Sequence, residues 1–160
     1  MPNLLSSNDK KISKEFLDKG YIIRNVEDLS KLDILRNILI KKITKKNIHN
    51  TEIDDFLNSY HDNIKIRELN KIRLKTINSI NNDKEFKKYY FDIFRSYLEI
   101  LVGNELSMQI RMGLSIQLPK DKNSLLPIHS DVWSGDSPFE VVTWLPFVNV
   151  YNSKSMYLLP

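Results

Sequence analysis

The hydrophobic period of this chain changes at Gly103, and that change limits the architectures open to it. Upstream, apolar side chains recur at helical spacing. Across 83–102, Phe86, Tyr89, Tyr90, Ile93, Phe94, Tyr97, Leu98 and Leu101 fall at i, i+3, i+4 and i+7, the pattern of a helix with one face turned to a core. Downstream, Met108, Ile110, Met112, Leu114, Ile116 and Leu118 alternate with smaller or more polar residues, and a two-residue repeat belongs to a half-buried strand. Gly103 stands at the junction as a helix stop.

The other helices are marked by their starts. Asn8 or Asp9 can cap a short helix through Leu17 that Gly20 ends, and a brief β-prone run, YIIRNV, follows at 21–26. Asp28 can start a second helix, in which Leu29, Leu32, Ile38, Leu39 and Ile43 fit the 3.6-residue period. A shorter helix is expected within TEIDDFLNSY. Another follows Asn63, with Leu69, Ile72, Thr76, Ile77 and Ile80 on one side. The aromatic stripe of 83–102 is read as core packing rather than a ligand surface. Beyond the polar turn PKDKNS, FEVVTWLPFVNVY (139–151) is expected as a second strand region, broken at Pro146, and SMYLL (155–159) as the start of a third. No internal repeat or low-complexity linker divides the chain, so 1–160 reads as one domain, mainly helical over 1–103 and stranded over 104–160.

Composition excludes several function classes. A length of 160 residues allows one domain with a core. The net charge of +4 and pI near 9.1 invite an anionic partner. Yet basic residues alternate with acidic ones in KEFLDK and KIRELNK, so no clean basic face emerges and no nucleic-acid partner is expected. Cysteine is absent, which removes disulfides, zinc ribbons and thiol nucleophiles and suits a reducing compartment. MPNLLSSNDKK lacks the layout of a signal peptide, and no run nears the roughly 18 apolar residues of a membrane span. A cytoplasmic protein of open oligomeric state is the expectation.

The chemistry concentrates in LPIHSDVWSGDSPFEVVTWLP, 126–146. With 3 His and 20 acidic residues in the chain, a His-x-Asp/Glu triplet is expected about 0.4 times by composition alone. On an extended segment residues i and i+2 share a side, so His129 and Asp131 can reach one ion. A neutral imidazole and a carboxylate are two of the three ligands that hold non-haem Fe(II) with positions left open. A surface turn with Asp131 capping nearby amides is the alternative.

Four segments in order strengthen the metal reading: FLDKGYIIRNV leading into LDILRNI, IRMGLSIQLP shortly before LPIHSD, then VVTWLPFVNV, and finally NSKSMYLLP. Through them the chain resembles the phytanoyl-CoA dioxygenase superfamily of Fe(II)/2-oxoglutarate oxygenases, and more specifically the oxygenases of sporadic carbohydrate-biosynthesis clusters. The resemblance implies an α+β fold, a helical layer followed by part of a double-stranded β-helix (jelly-roll or cupin-like) that is incomplete at the C-terminus. It implies that His129 and Asp131 are the first His and the carboxylate of the iron triad. Trp133 and Ser134 would lie near substrate, and Gln117 would face 2-oxoglutarate or substrate. Asp136 is read as part of a turn set by Gly135 and Pro138, and Trp144 as a barrel-wall core residue. The implied chemistry is hydroxylation by Fe(II), 2-oxoglutarate and O2 of a small, sugar-linked intermediate of surface polysaccharide synthesis.

The chain departs from that pattern after Asp131, where no His or Arg follows to supply the third ligand or to pair the 2-oxoglutarate carboxylate. His49 and His61 lie far upstream in the helical region and are read as solvated or helix-end histidines. Lys154 sits in an expected turn, unsuited to that pairing. The expectation is therefore the N-terminal part of a longer enzyme, or the product of a truncated gene, inactive alone and weak for iron. The rival is a non-catalytic helical interaction module or a degenerate oxygenase relative, and the reading frame beyond Pro160 would separate the two.

Overall fold

Capping residues place the helices. Residues 5–45, 48–49, 52–122 and 125–159 are described in the computed structural model. Helix α1 (Ser7–Lys19) starts slightly earlier than the sequence suggested. Ser6 is the cap, in a reciprocal box: Asp9 N donates to Ser6 Oγ at 3.1 Å and Ser6 N to Asp9 Oδ2 at 2.8 Å, which satisfies two end-of-helix donors. Gly20 closes it at φ 79°, a conformation that costs glycine nothing. Asp28 caps α2 (Leu29–Thr44), as its position suggested. Helix α3 (Ile53–Asn58) is short and runs on into a 3-10 turn at Tyr60–Asn63. Helices α4 (Ile66–Asn81) and α5 (Lys84–Val102) are separated by a tight junction in which Asp83 caps α5.

The helices pack on one another: α2 against α4 and α5, with α1 and α4 also against α5. The expected apolar stripes meet there in part: Leu29, placed on the α2 stripe, is 63% exposed, while Leu35, not placed on it, is fully buried. Leu35 and Leu39 of α2, Ile80 of α4 and Phe86 of α5 are buried together, and Met112 and Leu145 from the later chain join the same core. Phe86 is shared by the helices and the chain beyond them, its ring centroid 6.3 Å from that of Phe147.

The second half corrects the expected fold class. Among the described residues there is no β-strand; they are helical or irregular. The α+β expectation, the double-stranded β-helix and the strands over 108–118, 139–151 and 155–159 are not what forms, and neither is a strand at 21–26. The periodicity was nevertheless reporting something physical. Burial alternates residue by residue from buried Met112 to buried Leu118 and from Val141 to buried Leu145, as in an extended chain lying on a surface.

What fails is the ladder, because the backbone finds partners on the helices instead. Asn81 of α4 accepts from Met112 N at 2.8 Å and donates to Met112 O at 2.9 Å, imitating the two bonds of a neighbouring strand. Arg73 Nε donates to Ile116 O at 2.9 Å, Lys87 Nζ to Ile110 O at 2.8 Å and the Tyr90 hydroxyl to Thr143 O at 2.9 Å. Arg73 also lies 3.6 Å from Asp121 Oδ2, whose side chain is buried in the turn beyond. Two-residue alternation specifies which side chains face inward; it does not specify that the polar backbone is paired by another strand.

Candidate metal centre

Pro127, the histidine two residues on and a single turn of 3-10 helix build the region around His129. Proline disfavours helix for the residue before it and removes a donor, which suits the irregular approach through 125–128. Trp133 N then bonds Ser130 O at 2.9 Å, opening the 3-10 turn Asp131–Ser134. Gly135, at φ 101°, ends it. The turn brings the Asp131 carboxylate back toward the imidazole.

His129 Nε2 lies 3.6 Å from Asp131 Oδ1, and His129 Nδ1 lies 2.7 Å from the Pro127 carbonyl oxygen. A carbonyl can only accept, so this contact assigns the proton of the neutral ring to Nδ1 and leaves the Nε2 lone pair facing the carboxylate. Two acceptors face each other across a gap too wide for a direct hydrogen bond. A bridging water or a metal ion can occupy the space between them, and a backbone carbonyl on the remote nitrogen is a common outer-shell partner of a metal-bound histidine. The pair thus fits two positions of an iron site. Among the described residues no group of three His, Cys, Asp or Glu side chains is placed to hold an ion.

A shallow cavity of about 180 Å³ adjoins Asp131, lined by Ser130, Asp131, Asp136, Ser137 and Glu140 with apolar Val142. Asp136 is in the turn, as expected, its N–H 3.3 Å from Asp131 O, and it also faces this cavity. Trp133 and Ser134, expected near substrate, are exposed beside His129 and Asp131 but do not line the cavity, and Gln117 is exposed on the 112–118 segment and does not line it either. Trp144, expected in a barrel wall, is 46% exposed.

Sequence reasoning missed Pro127 and Glu140. A proline carbonyl two residues before a histidine is a local signal that could have been read; the approach of Glu140 depends on how 136–140 folds back. Lys154 does sit in a turn, its N–H 2.9 Å from Tyr151 O, and its ammonium reaches Asn58 of α3. His49 and His61 stay with the helices; His61 Nε2 is 3.3 Å from Asp62 Oδ1, a surface pair with no backbone carbonyl among the described residues on its other nitrogen. No helix among the described residues is long and apolar enough to cross a membrane. No protein-family model, curated protein or solved structure matches the chain.

Proposed function

We propose that His129 and Asp131 are two ligands of a ferrous centre, and that the chain carries this part of an Fe(II)- and 2-oxoglutarate-dependent oxygenase acting on a carbohydrate-related intermediate of surface polysaccharide synthesis. One arrangement supports the reading: the Pro127 carbonyl holds the proton of His129 on Nδ1, and Nε2 is left 3.6 Å from Asp131 Oδ1. Bound iron would supply activation of O2 and oxidation of an unactivated carbon. The chain's own residues orient the ring, present the carboxylate and, through the Asp131–Ser134 turn, keep the two at a fixed separation.

The His61–Asp62 pair, at 3.3 Å, is an internal control. Mn(II), a paramagnetic stand-in for Fe(II), should broaden the NMR signals of His129 and Asp131 before those of His61 and Asp62, and His129→Ala should abolish the broadening at Asp131. Equal broadening at both pairs would sink the proposal. Release of succinate from 2-oxoglutarate that depends on His129 would extend it from metal binding to turnover.

A second reading, a non-catalytic interaction module, is favoured by the apolar side chains that surround the same pair: Ile128 is 80% and Phe139 91% exposed. It expects Mn(II) to leave the His129 signals no more affected than those of His61.

A further inference from the structure

Nine basic side chains pair with acidic ones among the described residues; those along the exposed side of α4 do not. Lys14 pairs with Asp18 at 2.8 Å, Arg24 with Glu15 at 2.6 Å, Lys88 with Asp92 at 2.7 Å and Arg95 with Glu99 at 2.7 Å. Arg67, Lys71 and Lys75 are exposed and form no ion pair among the described residues. Glu68, the one carboxylate in α4, bridges to none of them. At i, i+4 and i+8 the three cations span about 12 Å of helix axis and about 80° of arc, and Asn78 lies one turn beyond within the same arc, nearly opposite the buried Leu69, Thr76 and Ile80.

The stripe ends at a cleft of about 340 Å³ lined by Asn78, Asn81, Asn82, Lys87, Ile110 and Arg111. No carboxylate lines it. The Asn81 amide is spent on Ile77 O and Met112 O, but the cleft's charged donors are held in place and not used up. Arg111 spends one N–H on Asn78 Oδ1 at 2.8 Å, and Lys87 one on Ile110 O at 2.8 Å; a guanidinium carries five donors and an ammonium three. Because Asn78 Oδ1 accepts from Arg111, its amide N–H groups are directed away from that bond. The nearest acid in sequence, Asp83, is committed to Lys42 at 2.8 Å and to the N–H groups of Glu85 and Phe86.

From this we infer that the cleft between the end of α4, the first turn of α5 and residues 110–111 binds an oxyanion, and that its ligand is a small molecule bearing a diphosphate. One phosphate meets the Arg111 fork and the Lys87 ammonium, a combination suited to a tetrahedral oxyanion. The second lies toward Lys75 at the end of the stripe that meets the cleft, where a single carboxylate would leave the further cations unmatched. The site is separate from the His129–Asp131 pair and does not depend on iron.

Calorimetric titration of the 160-residue protein with inorganic pyrophosphate tests it. Binding should be tighter than that of inorganic phosphate and should weaken with salt. Arg111→Gln should reduce affinity about tenfold and Lys75→Gln by about threefold; Arg95→Gln, which removes a cation already paired, should leave it unchanged. The Lys75 ammonium makes no hydrogen bond to a described residue, so its variant remains informative if Arg111→Gln disturbs the 110–112 segment, which far-ultraviolet circular dichroism would show. Absence of pyrophosphate binding overturns the inference, as does equal loss in Arg95→Gln. A single-stranded oligonucleotide that binds through Arg67, Lys71 and Lys75 while pyrophosphate does not would also overturn it and assign the stripe to nucleic acid.

Discussion

The helical layer and the chain after Gly103 share one core but satisfy their backbones in opposite ways. In α2, α4 and α5 each peptide finds its partner four residues away, so the helices need their neighbours only to cover apolar stripes. The later segments have no such internal solution. Met112, Ile116, Ile110 and Thr143 take their backbone partners from Asn81, Arg73, Lys87 and Tyr90, side chains that belong to the helices. The first region closes its backbone hydrogen bonds within itself, whereas the second takes several of its own from the first.

The largest effect should come where the two regions meet. Phe86 is 2% exposed and touches both, so Phe86→Ala should cost about 3–5 kcal/mol, seen as a lower urea midpoint with both regions lost together. Next, Asn81→Ala strands the Met112 amide and carbonyl at a cost of about 1–3 kcal/mol. Native-state hydrogen exchange should then show Met112 losing protection while Leu35 and Leu39 of α2 keep theirs. If the helices lose protection equally, the two regions are one cooperative unit and the contrast between them fails.

The smallest effect is confined to the helices. Burial pushes the Asp83 carboxyl up, but the Lys42 ammonium and the amides of Phe86 and Glu85 outweigh it and hold the carboxyl below its ordinary value. A carboxyl whose folded value is depressed stabilises the fold above its unfolded value, near pH 4, and loses that contribution as pH falls through the folded value. Asp83→Ala should therefore cost about 1 kcal/mol at neutral pH. The gap between variant and wild type in urea denaturation should close below pH 4, without change in the exchange protection of Met112.

The helices were legible in the sequence because their signals are local. Asp28, Gly20, Gly103 and the stripe from Phe86 to Leu101 each act within a turn or two of themselves. The fate of the alternating segments was not, because an identical period-two pattern serves a strand in a ladder and a chain laid across helices. What decides between them is the pairing of Asn81 with Met112 and Arg73 with Ile116, separated by 31 and 43 residues. The candidate site divides the same way. His129 and Asp131 share a turn and could be read as neighbours, whereas Gln117 could be tied to them only through a fold that does not form.

The two anchors on α4 have a mechanical consequence. Asn81 and Arg73 are eight helical residues apart, about 12 Å, and the four residues from Met112 to Ile116 span about 13 Å when extended. The spacings agree in only one register. Sliding the segment by one residue moves it about 3.3 Å, a little over two helical residues, and the side chain waiting there points to another side of α4. No succession of small slips leads from the docked state to a shifted one. The segment is either fastened at both points or released from both, so its motion should resemble a latch rather than a slide.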